Sequence, residues 1–395
     1  MRPAAPPDQT ASDQEVVLFD ESLLEDPEAL ARADGRGLLL GVAAAGARVR
    51  TALRLAEEAG LGELRPDGRP RTVLIAGSGP DAAAVGDMLA AVASATCPVQ
   101  ALHPAGPTPQ ESRWTLPGWA GPLDLLLLIT PHGTEQGLTD LVEQAYRRGC
   151  TAVAVTPPKA PLAEAVAQVH GLALPFAAPF GNGADEDDLD PAADAGAFWA
   201  LLTPLLALSD RVGLLSAPRS TLYAIADRLD EVAARCGPAI ATYTNPAKTL
   251  AAELADALPL LWSQGRIAAA VARRFSTVLA TRAGRPAVAA ELPGALTVHG
   301  PLQASALPLA ADPDDFFRDR VEDNDSLRLR IVLLQETSDQ PGSAAPAVRE
   351  QAYAHDTPLS EIAAASVSPL DTAAELVALA DFAAVYLAVA SAERT

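Results

Sequence analysis

The chain has 395 residues, with 29 basic against 50 acidic side chains and a formal net charge of −21. That length predicts two domains, and a hydrophobic content of 49% excludes a wholly disordered chain. So strong an acidic excess, with no Lys/Arg-rich run, excludes a nucleic-acid groove or an anionic membrane surface as partner, since both reward clustered positive charge.

The start, MRPAAPPDQTASD, lacks the apolar core of a signal peptide. Apolar runs such as Leu125–Ile129 fall far short of the roughly 20 residues that span a bilayer. Residues 1–19 are expected to be a disordered tail, and the protein to be cytoplasmic with no membrane partner. Cys97, Cys150 and Cys236 have neither CxxC nor metal-ligand spacing, and no three of the five histidines have it either. The thiols read as buried and free, and no metal is expected.

In chain order, Asp26-Pro27-Glu28 opens a first helix, and an amphipathic stretch covers Leu38–Glu58. Strands then alternate with helices. Arg71–Ala76 is a strand ended by Gly77-Ser78-Gly79-Pro80, with a helix over Asp81–Ser94. Pro98–His103 is a second strand, and Leu123–Thr130 a third, stopped at Pro131-His132-Gly133 and followed by a helix over Thr134–Arg148. Thr151–Thr156 is a fourth, with a helix near Leu162–His170. Continuous apolar strands alternating with helices predict a parallel sheet covered on both faces.

The run Gly181–Asp194 reads as a solvated linker. Two helices follow, over Ala195–Ala207 and Ser220–Cys236. A second series has strands at Leu258–Trp262, Ala287–Ala290 and Leu327–Leu334, a helix over Ile267–Arg282, a loop over Ser338–Ala347 and a closing helix over Thr372–Val389. The predicted fold is α/β with two similar subdomains, each a parallel sheet flanked by helices. They divide as 20–192 and 193–395.

In such sheets ligands bind at the carboxyl ends of strands. Gly77-Ser78-Gly79 lets backbone N–H groups approach an anion at the start of a helix. Thr130, His132, Gly133 and Thr134 occupy the corresponding turn after the third strand and offer hydroxyl and imidazole donors. Together the two turns describe a phosphate pocket; the same glycines also serve any tight strand-to-helix turn. Pro80 and Asp81 break the G-x-G-x-x-G pattern of a nicotinamide site.

The order of these pieces resembles the sugar isomerase (SIS) domain. The chain from Asp20 is similar to the bifunctional phosphoglucose/phosphomannose isomerases, which are built of two SIS subdomains. The resemblance rests on AGSGPDAAAVGDML (Ala76–Leu89), LLITPHGTEQGLTDLVEQAYRRGC (Leu127–Cys150), NPAKTLAAELADALPLLW (Asn245–Trp262) and AVARRFSTVLATRAGRPAVAAELPG (Ala270–Gly294), with DFAAVYLAVA (Asp381–Ala390) like the family's closing helix. It implies a sugar-phosphate ligand, aldose–ketose isomerisation through an enediol, a homodimer and no cofactor.

The family's catalytic pattern is matched poorly. His132 and Glu135 stand where the pattern has hydroxyl residues, and a carboxylate there repels a phosphate dianion unless it points away. Ala192 stands at the family's arginine and Thr281 at its glutamate base. The family's histidine falls at Thr297, two residues before His299. Glu291 and His299 are the substitutes the sequence offers, as base and ring-opening acid after a loop shift; otherwise they are a strand-end acid and a surface-loop histidine. Three readings stay open. The chain is a hexose 6-phosphate isomerase, a sugar-phosphate sensor or partner subunit without turnover, or a structural protein without ligand.

Overall fold

The structure, a computed structural model, describes residues 19–391 except 67, 94–96, 109–110, 177–193, 307–327, 338–341 and 367. The expected tail, apart from Phe19, lies outside the described residues, as do Pro191-Ala192 and the acidic run up to 193.

The chain begins with α1 (Pro27–Ala33), α2 (Leu38–Ala43) and α3 (Ala45–Glu58). Asp26 caps α1, accepting from the N–H groups of Glu28 and Ala29 at 3.0 Å each. The first α/β series is β1 (Thr72–Gly77), α4 (Gly79–Val92), β2 (Val99–Ala101), β3 (Asp124–Ile129), α5 (Gln136–Arg147), β4 (Thr151–Thr156), α6 (Pro161–Gln168) and β5 (Leu172–Pro175). Helices α7 (Ala197–Arg211) and α8 (Arg219–Arg235) come next. The second series is α9 (Pro246–Leu254), β6 (Leu258–Gln264), α10 (Arg266–Ala283), β7 (Val288–Glu291), α11 (Gly294–Val298), α12 (Gly300–Ala306), β8 (Leu329–Gln335), α13 (Ala345–Ala354), β9 (Leu359–Ala363) and α14 (Pro369–Ala390).

Both sheets are wholly parallel, with orders β2-β1-β3-β4-β5 and β7-β6-β8-β9. The predicted α/β architecture of two helix-flanked parallel sheets is what the chain forms. The short strands β5 and β9, the helices α11 and α12, and the helix α13, which begins at Ala345 in the last residues of the expected 338–347 loop, add to the elements read from the sequence.

Alternation along the strands divides the apolar side chains between three cores. Leu125, Leu127 and Ile129 of β3 face the centre with Leu261 of β6 and with Val332 and Leu334 of β8. Leu126 and Leu128 face outward against α5 and α6. Leu260 and Trp262 of β6 face outward on the other side, against Ala295 of α11 and Val348 of α13. Between the sheets lie α3, α4, α7, α8, α9, α10 and α14.

Helix α14 is the one helix among the described residues long and apolar enough to cross a membrane. It does not follow the short apolar runs expected of this chain. Of the span that qualifies, 94% is buried inside the protein, packed against α8, α9 and α10. A helix apolar all round is placed in a core by the protein around it.

Charges are buried where the two halves meet. Arg274 on α10 donates to Asp381 on α14, lies 3.7 Å from Asp81 on α4 and stacks with its guanidinium carbon 4.4 Å from the Phe198 ring on α7. Its side chain is 3% exposed. Arg48 on α3 pairs with Asp194 at 2.7 Å, equally buried. Removing one partner of such a pair strands the other charge out of water. Arg274→Ala is therefore expected to lose about 3–5 kcal/mol of unfolding free energy in urea titration. The double replacement Arg274→Met/Asp381→Leu should recover part of that loss, because Asp381 is no longer left as an unpaired charge, while Asp81 still lacks its partner 3.7 Å away.

Candidate functional site

Strands β1 and β3 are neighbours, with Gly77 opposite Ile129. The chain leaves β1 towards β2 and β3 towards β4, so the gap between their carboxyl ends is the switch point at which open α/β sheets bind ligands. Ser78 follows β1 and Thr130 follows β3. Their hydroxyl oxygens are 3.2 Å apart, so the two glycine-bearing turns converge. Gly79 and Gly133 hold positive φ angles of 81° and 74°. At Gly133 a Cβ would come within 2.3 Å of Thr156 Oγ1, so no other residue fits without moving the turn.

The convergence is filled from within. Glu135, at the N-cap of α5, turns its carboxylate into the gap rather than away from it. Its Oε1 accepts from Ser78 Oγ and, at 2.6 Å, from Thr130 Oγ1. Thr130, fully buried, in turn accepts from the N–H groups of His132 and Gly133, each at 3.1 Å. The hydroxyls expected to meet a ligand anion thus already hold an anion. Glu135 Oε2 is buried without a donor, and the hydroxyl of Thr156, packed under Gly133, is likewise unpartnered. His132 and Thr134 are exposed at the rim.

The structure does not bring Glu291 and His299 together. Glu291 stands opposite Ser263 in the register, and Ala290 opposite Trp262. Register partners in a parallel sheet share a face, and successive residues alternate. Glu291 therefore belongs to the central face, where Arg273 on α10 reaches it at 2.9 Å and holds Asp87 of α4 at 2.7 Å with its other nitrogen. His299 lies across the sheet on the outer face. It is not a surface-loop histidine: it is 2% exposed, and its Nδ1 accepts from Trp262 Nε1 at 2.7 Å. Thr281 donates its hydroxyl to the carbonyl of Thr277 at 2.9 Å, one turn back on its own helix.

The Asn245-Pro246-Ala247-Lys248 stretch has a structural role. Asn245 caps α9, accepting from the N–H groups of Ala247 and Lys248 at 3.1 Å. Lys248, 1% exposed, donates to the carbonyls of Leu24, Pro238 and Ile240 at 2.5, 2.7 and 2.8 Å, fastening the leading segment to the second half. Burial lowers its pKa, an effect that Glu25 opposes. The three cysteines are buried, and burial pushes Cys150 and Cys236 up to about 11, far from the thiolate a nucleophile needs. Among the described residues no cluster of His, Cys, Asp and Glu is arranged to hold a metal ion.

Comparison with known proteins agrees with this architecture. Residues 243–392 match the family model of the bacterial phospho-glucose isomerase C-terminal SIS domain. The C-terminal domain of glucosamine-fructose-6-phosphate aminotransferase from Francisella tularensis superposes with a TM-score of 0.58 at 12% identity, over 91% of this chain and 98% of that one. The hypothetical protein TT0462 from Thermus thermophilus does so with a TM-score of 0.58 at 16% identity, over 93% and 89%. At such identities the structural likeness is one of fold. No curated protein matches the chain. The match makes residues 243–392 similar to a SIS, or sugar isomerase, domain, and the two parallel sheets share their fold with these structures.

The buried His299 carries a pH signature. Burial lowers its pKa below the ordinary value near 6.5, because a charged ring there would lose its hydration. Between those two values the unfolded chain binds a proton that the native ring refuses, so stability falls as pH drops below about 6.5. His299→Asn keeps an acceptor for Trp262 and has nothing to protonate. Melting temperatures at pH 7 and pH 5 should therefore differ less in His299→Asn than in the wild type.

Proposed function

We infer that this protein binds a sugar phosphate on its SIS scaffold without aldose–ketose turnover, as a sensor or as the partner subunit of another protein. The observation that carries the reading is the placement of Glu291 and His299 on opposite faces of the second sheet. Moving a proton between C1 and C2 requires a carboxylate within hydrogen-bond reach of both carbons, and opening the ring requires an acid on the same sugar. Glu291 spends its carboxylate on Arg273, His299 its Nδ1 on Trp262, and Thr281 its hydroxyl on a backbone carbonyl. A threonine hydroxyl, whose pKa lies far above neutrality, does not replace the base.

The sugar-phosphate part of the reading draws on the SIS fold and on the convergence of Ser78 and Thr130 at the switch point, where an oxyanion would meet two hydroxyls at the start of α4 and near that of α5. Isomerisation of hexose 6-phosphates is the second reading, favoured by the match of residues 243–392 to a phosphoglucose isomerase domain.

A coupled assay of the purified chain on fructose, glucose and mannose 6-phosphates separates the two. No turnover is expected above the uncatalysed rate. Turnover that disappears in Glu291→Gln would establish the isomerase instead. In parallel, millimolar hexose 6-phosphate should raise the melting temperature, since a ligand held only by the native state stabilises it. An unmoved melting temperature with every sugar phosphate would refute phosphosugar binding by the wild-type chain.

A further inference from the structure

We propose that Glu135 is an internal stand-in for the ligand's phosphoryl group, and that an anion enters the Ser78–Thr130 turn only by displacing it. The proposal rests on reading this turn as the phosphate site. It adds that the wild-type chain holds the site closed against phosphate with its own carboxylate.

Three observations converge on it. First, the carboxylate occupies the donors themselves, not a neighbouring position: Oε1 takes both the Ser78 and the Thr130 hydroxyl. Hydrogen bonds from hydroxyls to a carboxylate are short and about twice as strong as neutral ones, so a phosphate oxygen competes with a good acceptor. Second, the two cannot share the turn. A dianion brought against a partly buried carboxylate meets direct repulsion in a medium that screens it poorly. Third, the closed arrangement is incompletely satisfied. Glu135 Oε2 is buried and has no donor, and such an oxygen costs free energy that its swing into water recovers. Glu135 is half-buried and precedes the first turn of α5, where its side chain caps no backbone N–H; it can leave without unwinding the helix. The turn beneath it is held separately, by the N–H groups of His132 and Gly133 on Thr130 Oγ1.

The resulting device is a site whose affinity for phosphate is set by one side chain that never touches the sugar. Anything that draws Glu135 outward, such as a cationic group on a partner protein, would open the site.

The test is calorimetric titration of the full-length chain with inorganic phosphate and with glucose 6-phosphate, for wild type, Glu135→Ser and Glu135→Gln. Glu135→Ser supplies a hydroxyl in place of the charge, and Glu135→Gln keeps the shape and removes the charge. Both variants are expected to bind each ligand at least roughly tenfold more tightly than wild type, the equivalent of about one charge-assisted hydrogen bond. Adding Ser78→Ala to Glu135→Ser should abolish that gain. Equal or weaker binding by both variants, beside measurable wild-type binding, overturns the internal stand-in and leaves phosphosugar binding intact. A gain that survives Ser78→Ala also overturns it, because the anion then sits elsewhere. Binding of neither ligand by any variant, with near-native melting temperatures, defeats both the stand-in and the phosphosugar reading.

Discussion

The fold depends on a small set of charges kept dry. Arg274 stands where α4 of the first series meets α10 and α14 of the second, paired with Asp381, near Asp81 and stacked on Phe198. Apolar packing alone is non-directional and would tolerate several relative settings of two helix layers. A buried guanidinium tolerates few, because each of its partners must be reached at once or a charge is left without water and without compensation. Arg48 with Asp194 fixes α3 to the segment entering α7 in the same manner. The exposed chain Asp87–Arg273–Glu291 repeats the connection at the surface, where solvent weakens it. Through these contacts α4, which follows the Ser78 turn, is tied to α10 and α14 of the second half.

Held in that frame, β1 and β3 bring two glycine-bearing turns together at the switch point of the first sheet. The strand ends, the two glycines at positive φ and the converging hydroxyls are in place. A carboxylate rests among the donors, Glu291 is a surface ion-pair partner, and His299 is the acceptor for a core tryptophan. Backbone shape is built by many residues together, whereas chemistry depends on single side chains.

The same division decided what could be read from the sequence. The central strands were legible because a run such as Asp124–Ile129, buried along its whole length, has few other places to go. The turns were legible from their glycines. The edge strands β5 and β9 were not, since Leu172–Pro175 and Leu359–Ala363 are short and only partly buried, leaving little periodicity to detect. Glu135 was visible as a misfit in a hydroxyl-rich motif, but which way it pointed is a rotamer choice that no linear pattern encodes. His299 reads as a loop residue because its partner, Trp262, is 37 positions away and reaches it only once β6 and α11 have packed. The buried Arg274 gave no signal either, as nothing in RRF announces which of its two arginines turns inward.

Helix α14 carries a consequence for how the protein is made. Its residues 369–390 fill the space among α1, α2, α8, α9 and α10, elements that leave the ribosome long before it. Until it emerges, those helices present apolar faces with nothing to cover them, and the second half cannot close around its own centre. The nascent chain therefore passes through a prolonged stage in which much of its interior is open to chaperones and to neighbouring polypeptides. Truncation before residue 369 would leave a product held permanently in that stage.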